Sequence, residues 1–156
     1  TKIADFTYSK YMRDTRQALK DFDDGKDSML IDDMVNMNIM LTGMVSDLST
    51  GGKQLAVAHN FYDAVCCMYK DVRRKYLHGE IVAMALPLQL AVNGRPEAEI
   101  EELKAFLREV GIPVSIREAG VPQDGLEELI TYVHRVTIPD DMELLEQIRD
   151  GFKYIM

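Results

Sequence analysis

Apolar positions recur along most of the chain at spacings of three and four residues, the period of a helix with one buried face. Ile3, Phe6, Met12, Leu19 and Phe22 follow that spacing and predict a first helix over residues 1–22. DFDDGKD breaks it, with Gly25 as the stop and Asp27 or Ser28 as the cap of the next helix. That second helix runs through MLIDDMVNMNIMLTGMVSDL and places Leu30, Met34, Met37, Leu41, Met44 and Leu48 on one face. STGGK, residues 49–53, ends it. Two further helices are predicted over 54–69 and 77–92, joined by the connector KDVRRKY. NGRP closes the second of these. PEAEIEELKAFLREVG then reads as an amphipathic surface helix with Ile100, Leu103, Phe106, Leu107 and Val110 inward and Gly111 at its end. IPVSIREAGVP reads as a loop with at most one short turn, and PVSI is the one stretch with a strand-like alternation. Asp124 with Glu127 predicts a capping-box start for DGLEELITYVHRV, and Pro139 opens a last helix, PDDMELLEQIRDGFKYI. Six or seven helices with essentially no sheet make an all-α helical bundle.

Length and composition refine this picture. A chain of 156 residues predicts one domain, and 47% apolar residues suffice for a real core. Charged residues, 28% of the total, are spread along the chain, which excludes bulk disorder. The net charge of −8 argues against a nucleic-acid-binding face. The one basic cluster, Lys70 to Lys75, is short and reads as a solvated helix end. Ten methionines, five of them at 29–44, read as core filling at ordinary helical periodicity rather than as an adaptable binding surface. Cys66 and Cys67 are neighbours, a poor geometry for a disulfide, and read as small core residues in a reducing, cytoplasmic setting. No apolar run is long enough to span a membrane and no signal peptide is visible. The chain starts at Thr1 rather than Met, so a fragment of a longer protein is expected.

Candidate chemistry concentrates between residues 51 and 90, where two of the three histidines lie. STGGK is not a phosphate loop: Asp47 stands where the first glycine is needed, and Gln54 follows the lysine in place of Ser or Thr. His59 and His78 are 19 residues apart on consecutive predicted helices. If those helices fold back on each other, both imidazoles can reach one Zn²⁺ or Fe²⁺, although two histidines still lack the third donor that a catalytic site needs. The alternative is a pair of unrelated structural histidines. The small residues of AVAHNF let the first helix approach a neighbour closely, and Gly79 leaves room beside His78. Glu80 either orients an imidazole or is a first-turn carboxylate favoured by the helix dipole. His134 reads as structural, and Asn60 and Tyr62 read first as packing residues, the alternative being that they line the same cleft as His59.

Gly51-Gly52, Ala56-Val57-Ala58-His59, His78-Gly79-Glu80-Ile81-Val82-Ala83 and Gln89-Leu90, in this order and at about these intervals, resemble the metal-binding core of the glycerol dehydrogenase and iron-containing alcohol dehydrogenase superfamily. Dehydroquinate synthase is a more distant relative. NMNIMLTG (36–43) and LREVGIPVSIREAGV are similar to neighbouring segments of the same family, so the resemblance covers most of 34–121. It implies a dehydroquinate synthase-like C-terminal helical domain that binds Zn or Fe(II) through His59, His78 and a carboxylate. For the carboxylate, Asp5 in IADFTYSKY stands nearest to the family's segment, though closer to His59 along the chain than in the usual pattern. It also implies that the metal polarises the oxygen of a small polyol or alcohol while NAD(P) exchanges a hydride. The departures matter as much. There is no glycine-rich dinucleotide loop and no strand–helix alternation, so the N-terminal nucleotide-binding domain is absent from this chain, which alone should be catalytically silent. That domain is then a partner, and self-association stays open. Two other readings remain: a non-catalytic interaction or regulatory module on the same scaffold, and a dehydroquinate-synthase-like lyase with Arg73, Arg74 and Lys75 as its phosphate ligands.

Overall fold

In the computed structural model, which describes residues 2–44 and 56–156, every regular element is helical, and no strand occurs among those residues. The all-α expectation holds. The chain divides into two compact units, Thr1–Gln54 and Leu55–Met156.

The first unit is an antiparallel hairpin of α1 (Lys2–Asp23) and α2 (Met29–Asn36), the latter running on into a π-helical segment, Met37–Leu41. Gly25, at φ +66°, ends α1: its N–H reaches Phe22 O, and the Lys26 N–H reaches Asp21 O at 2.9 Å. This is the left-handed cap that glycine adopts without a Cβ penalty. Ser28 caps α2 by accepting the Leu30 N–H, and its own hydroxyl donates to Asp21 at 2.8 Å. The core is thin: Ala18, Met34 and Met37, with Tyr11, Leu30 and Leu41 packed against them. The predicted α2 face is therefore right at Leu30, Met34, Met37 and Leu41. Met44 is exposed, and Leu48 lies outside the described residues. The predicted α1 face is not the buried one. Phe6, Leu19 and Phe22 are exposed, and the less exposed side of α1 carries Thr7, Tyr11, Asp14, Ala18 and Asp21. That seam repeats by four and three residues but is small and polar, so a reading of apolar spacing passes over it.

The second unit begins with α3 (Val57–Met68), which packs on α5 (His78–Met84), α6 (Leu86–Val92) and α9 (Leu126–Thr137). Its buried face is Val57, Ala58, Phe61, Ala64 and Val65, a regular i, i+4, i+7 stripe. Phe61 and Phe152 meet with ring centroids 6.1 Å apart at the centre of the core. The connector between α3 and α5 is itself a short helix, α4 (Lys70–Lys75). The predicted helix over 77–92 divides at Ala85. Pro87 cannot donate a backbone hydrogen bond, and the Ala85 N–H turns back to Val82 O, three residues away, which tightens the turn before α6. These interruptions, with the added short turns, raise the number of helices above the expected six or seven.

α7 (Glu97–Glu109) is the predicted surface helix, with Ile100, Leu103, Phe106 and Leu107 buried. The loop with one short turn expected over 112–122 is observed, and much of it is buried in the core. Val114, Ser115, Ile116, Ala119 and Val121 are buried around a one-turn helix, α8 (Ile116–Ala119). Ser115 caps it, its Oγ accepting the Glu118 N–H, and the Glu118 carboxylate accepts the Val114 N–H at 2.9 Å. The capping box expected at Asp124 and Glu127 does not form. Gly125 opens α9 without a side-chain cap, and Glu127 instead takes Arg149 of α10 (Met142–Gly151) at 2.6 Å. A Cβ at Gly125 would lie 1.6 Å from the Tyr69 hydroxyl, so glycine is there for close approach. α10 starts after Asp141, which accepts the Leu144 N–H, rather than at Pro139.

Candidate functional site

His59 sits in the first turn of α3 and His78 opens α5. The two helices pack together, and the imidazole centroids lie 5.6 Å apart at an interplanar angle of 50°. Both side chains are exposed. The structure thus brings together two residues that are 19 positions apart in sequence. Around one tetrahedral ion with metal–nitrogen bonds of about 2.0–2.1 Å, two imidazole centroids come to lie roughly 5 Å apart. The observed spacing is within a small side-chain adjustment of that geometry, so the pair fits an imidazole-binding divalent ion. Asp5 lies in the first turn of α1, exposed, in the other compact unit. Among the described residues no group of three His, Cys, Asp or Glu side chains converges on one point. Gly51 and Gly52 lie outside the described residues.

The positions of the two histidines follow from local capping. Glu80 reaches back to accept the Leu77 N–H at 2.7 Å, the N3-to-N-cap half of a capping box. That fixes the first turn of α5, where His78 stands. Of the two readings of Glu80, the helix cap is the one observed. α3 has no capping side chain of its own; Gln89 of α6 supplies one, its Oε1 accepting the Ala58 N–H at 3.3 Å. Gln89 was visible in sequence only as part of the QL pair, and its role as the cap beside His59 depends on a contact 31 residues away. Asn60 ties the same turn to α9, donating to Thr137 Oγ1 at 2.7 Å. Gly79 is open on its outer side: a Cβ there would meet nothing within 4 Å.

Tyr62 is more than a packing residue. It lies one turn beyond His59, and its ring meets the His78 imidazole edge-on with centroids 4.2 Å apart. The Arg73 guanidinium lies 5.7 Å over the same ring. A hydrogen bond with the Cys66 thiol, followed by burial, pushes the Tyr62 hydroxyl pKa up, against the opposing pull of Arg73. The two cysteines are not core residues. Cys66 is half-buried beside Tyr62, and Cys67 is exposed, 3.6 Å from the Tyr132 hydroxyl. The basic cluster engages locally, Arg74 with Asp71 at 3.4 Å and Lys75 over the Tyr76 ring, as expected of a solvated helix end. His134 is buried away from this site, bonded to Asp141 O at 2.7 Å, and is structural.

Comparison with known proteins adds one likeness. The chain is 33% identical over 82 residues to a protein named glycerol dehydrogenase from Thermotoga maritima. The match takes in 53% of this chain but 21% of that protein, so the chain spans about a fifth of the relative's length. No protein-family model matches. The likeness supports the glycerol dehydrogenase superfamily to which the histidine motifs point.

Proposed function

We propose that this chain is the metal-binding helical part of a glycerol-dehydrogenase-like, NAD(P)-dependent alcohol or polyol oxidoreductase. The observation that supports it is the pairing of His59 with His78 at a spacing suited to one ion. The two imidazoles hold Zn or Fe(II), and a carboxylate completes the set. The metal supplies Lewis acidity at the substrate oxygen. The hydride carrier binds on a nucleotide-binding domain outside this chain. The residues here hold and orient. Glu80 and Gln89 fix the helix starts that carry the histidines. Gly79 leaves one side of His78 free for a small substrate. The setting is cytoplasmic, and no helix among the described residues is long and apolar enough to cross a membrane.

Zinc titration of the metal-free chain, read by a competing chromophoric chelator, tests this. Zinc is expected to bind at one site per chain, with binding abolished in His59→Ala and in His78→Ala. Equal zinc affinity in the parent and the double histidine variant overturns the reading. No turnover is expected with NAD(P) and glycerol from the chain alone. A second reading, a non-catalytic interaction module, draws on the exposed Phe22, Val35 and Ile39 of the first unit. It predicts folded protein that takes up no zinc.

A further inference from the structure

A histidine that binds a metal is ordinarily held through its second ring nitrogen, by a carboxylate, a carbonyl or water, and this bond sets the ring's orientation. Neither His59 nor His78 has a hydrogen-bond partner among the described residues. His78 also stands exposed at the first position of a helix. What touches that ring is aromatic: Tyr62 at 4.2 Å and His59 at 5.6 Å between centroids.

Tyr62, unlike its neighbours, is fixed from several directions. It is half-buried against the main core cluster of the second unit. The Arg73 guanidinium of α4 lies over its ring, 5.7 Å from the centroid. Tyr62 and His59 are three residues apart, so they share a face of α3, and α5 brings His78 against both. An edge-on aromatic pair at this distance is favourable and directional.

We propose that Tyr62 is a positioning residue that orients the His78 imidazole toward His59 by ring contact, in the place usually taken by a hydrogen-bond acceptor. Arg73 secures Tyr62 in that position. The proposal rests on the metal-binding reading above and extends it to a residue that donates nothing to the ion. The aromatic ring is the working part.

The test uses the whole chain with Tyr62→Phe and Tyr62→Leu, and has two readouts. The first is zinc affinity by chelator competition; the second is the NMR signature of the His78 ring protons without metal. The phenylalanine variant is expected to bind zinc within about threefold of the parent, and the leucine variant about tenfold or more weaker, the range typical of lost ligand support. In the metal-free leucine variant the His78 ring protons lose the ring-current shift imposed by Tyr62, whereas the phenylalanine variant keeps it. A leucine variant that binds zinc as tightly as the parent, with unchanged His78 shifts, overturns the positioning role and leaves the metal reading standing. A parent chain whose His59 and His78 resonances ignore added zinc overturns both. If the leucine variant does not fold, the parent decides: cross-relaxation between the Tyr62 and His78 rings is expected, and its absence overturns the proposal.

Discussion

Ala18, Met34 and Met37 form the whole buried apolar cluster described in the first unit, whereas the second unit buries side chains from α3, α5, α6, α8, α9 and α10 in one continuous cluster. The hairpin's contacts are instead polar. Lys10 bridges Asp14 and Asp33 at 3.1 and 2.8 Å, Asp21 gathers Ser28 and Gln17, and the Tyr11 hydroxyl meets Asn38. Its large apolar side chains face outward, Phe22 at 68% and Ile39 at 70% exposure. Two units of one chain are thus stabilised by different physics. Burial of apolar area is strong and insensitive to salt and pH, while exposed ion pairs are individually weak and sensitive to both.

Paired core and surface truncations test that contrast most severely. Phe61→Ala is expected to lower unfolding stability by about 3–5 kcal/mol, since Phe61 is fully buried against Phe152. Phe22→Ala should change it by no more than about 0.5 kcal/mol. Urea unfolding measures both, and a large loss from Phe22→Ala would break the comparison by showing that the hairpin's outer face is covered in solution.

Acid should separate the units next. In the hairpin, Asp14 is held down to about 2, first by its hydrogen bond from Arg13; Asp21 is lowered, chiefly by Ser28 and then Gln17, and Asp24 by Lys26. A carboxylate with a depressed folded-state pKa adds stability above its unfolded pKa, near 4, and loses it as pH falls through the folded value. Acidification from pH 5 to 2 is therefore expected to lower amide protection factors in α1 and α2 before it affects the α3–α9 core. Uniform exchange across both units would blunt the distinction.

Smaller effects sharpen the contrast inside the second unit, between core and histidine rim. Glu80→Ala removes the cap at Leu77 and should cost about 1 kcal/mol, with weaker zinc binding through loss of the His78 turn. Gly79→Ala fills open space in a first turn and should stabilise by about 0.5 kcal/mol with zinc affinity unchanged. A fall in zinc affinity there would show that the space beside His78 is used. Thermal melts and zinc titrations decide both.

Much of this was legible in the sequence because helical period and caps are local. The stop at Gly25, the Ser28 cap and the buried stripe of α7 each depend on neighbours within a few residues. The histidine pair was legible as a spacing on two helices, but its closeness depends on how α3 and α5 pack. What stayed hidden depends on distant partners. The polar seam of α1 shows no apolar stripe, and the burial of the 112–122 segment did not show because its short apolar residues have no period. Gln89 acts as a cap only because α6 passes the start of α3. Tyr62 looked like packing because its significance lies in what stands opposite.

The π-helical segment Met37–Leu41 bears on how this chain can vary in length. The Thr42 N–H reaches back five residues to Met37 O, so this turn holds one residue more than an α-helical turn would. A single deletion within it can be absorbed by reverting to the narrower turn, with the side chains on either side keeping their angular register. Elsewhere in α1 or α2 the same deletion would swing every following residue by about 100° around the axis. Among near relatives of the hairpin, gaps of one residue should therefore collect at 37–41.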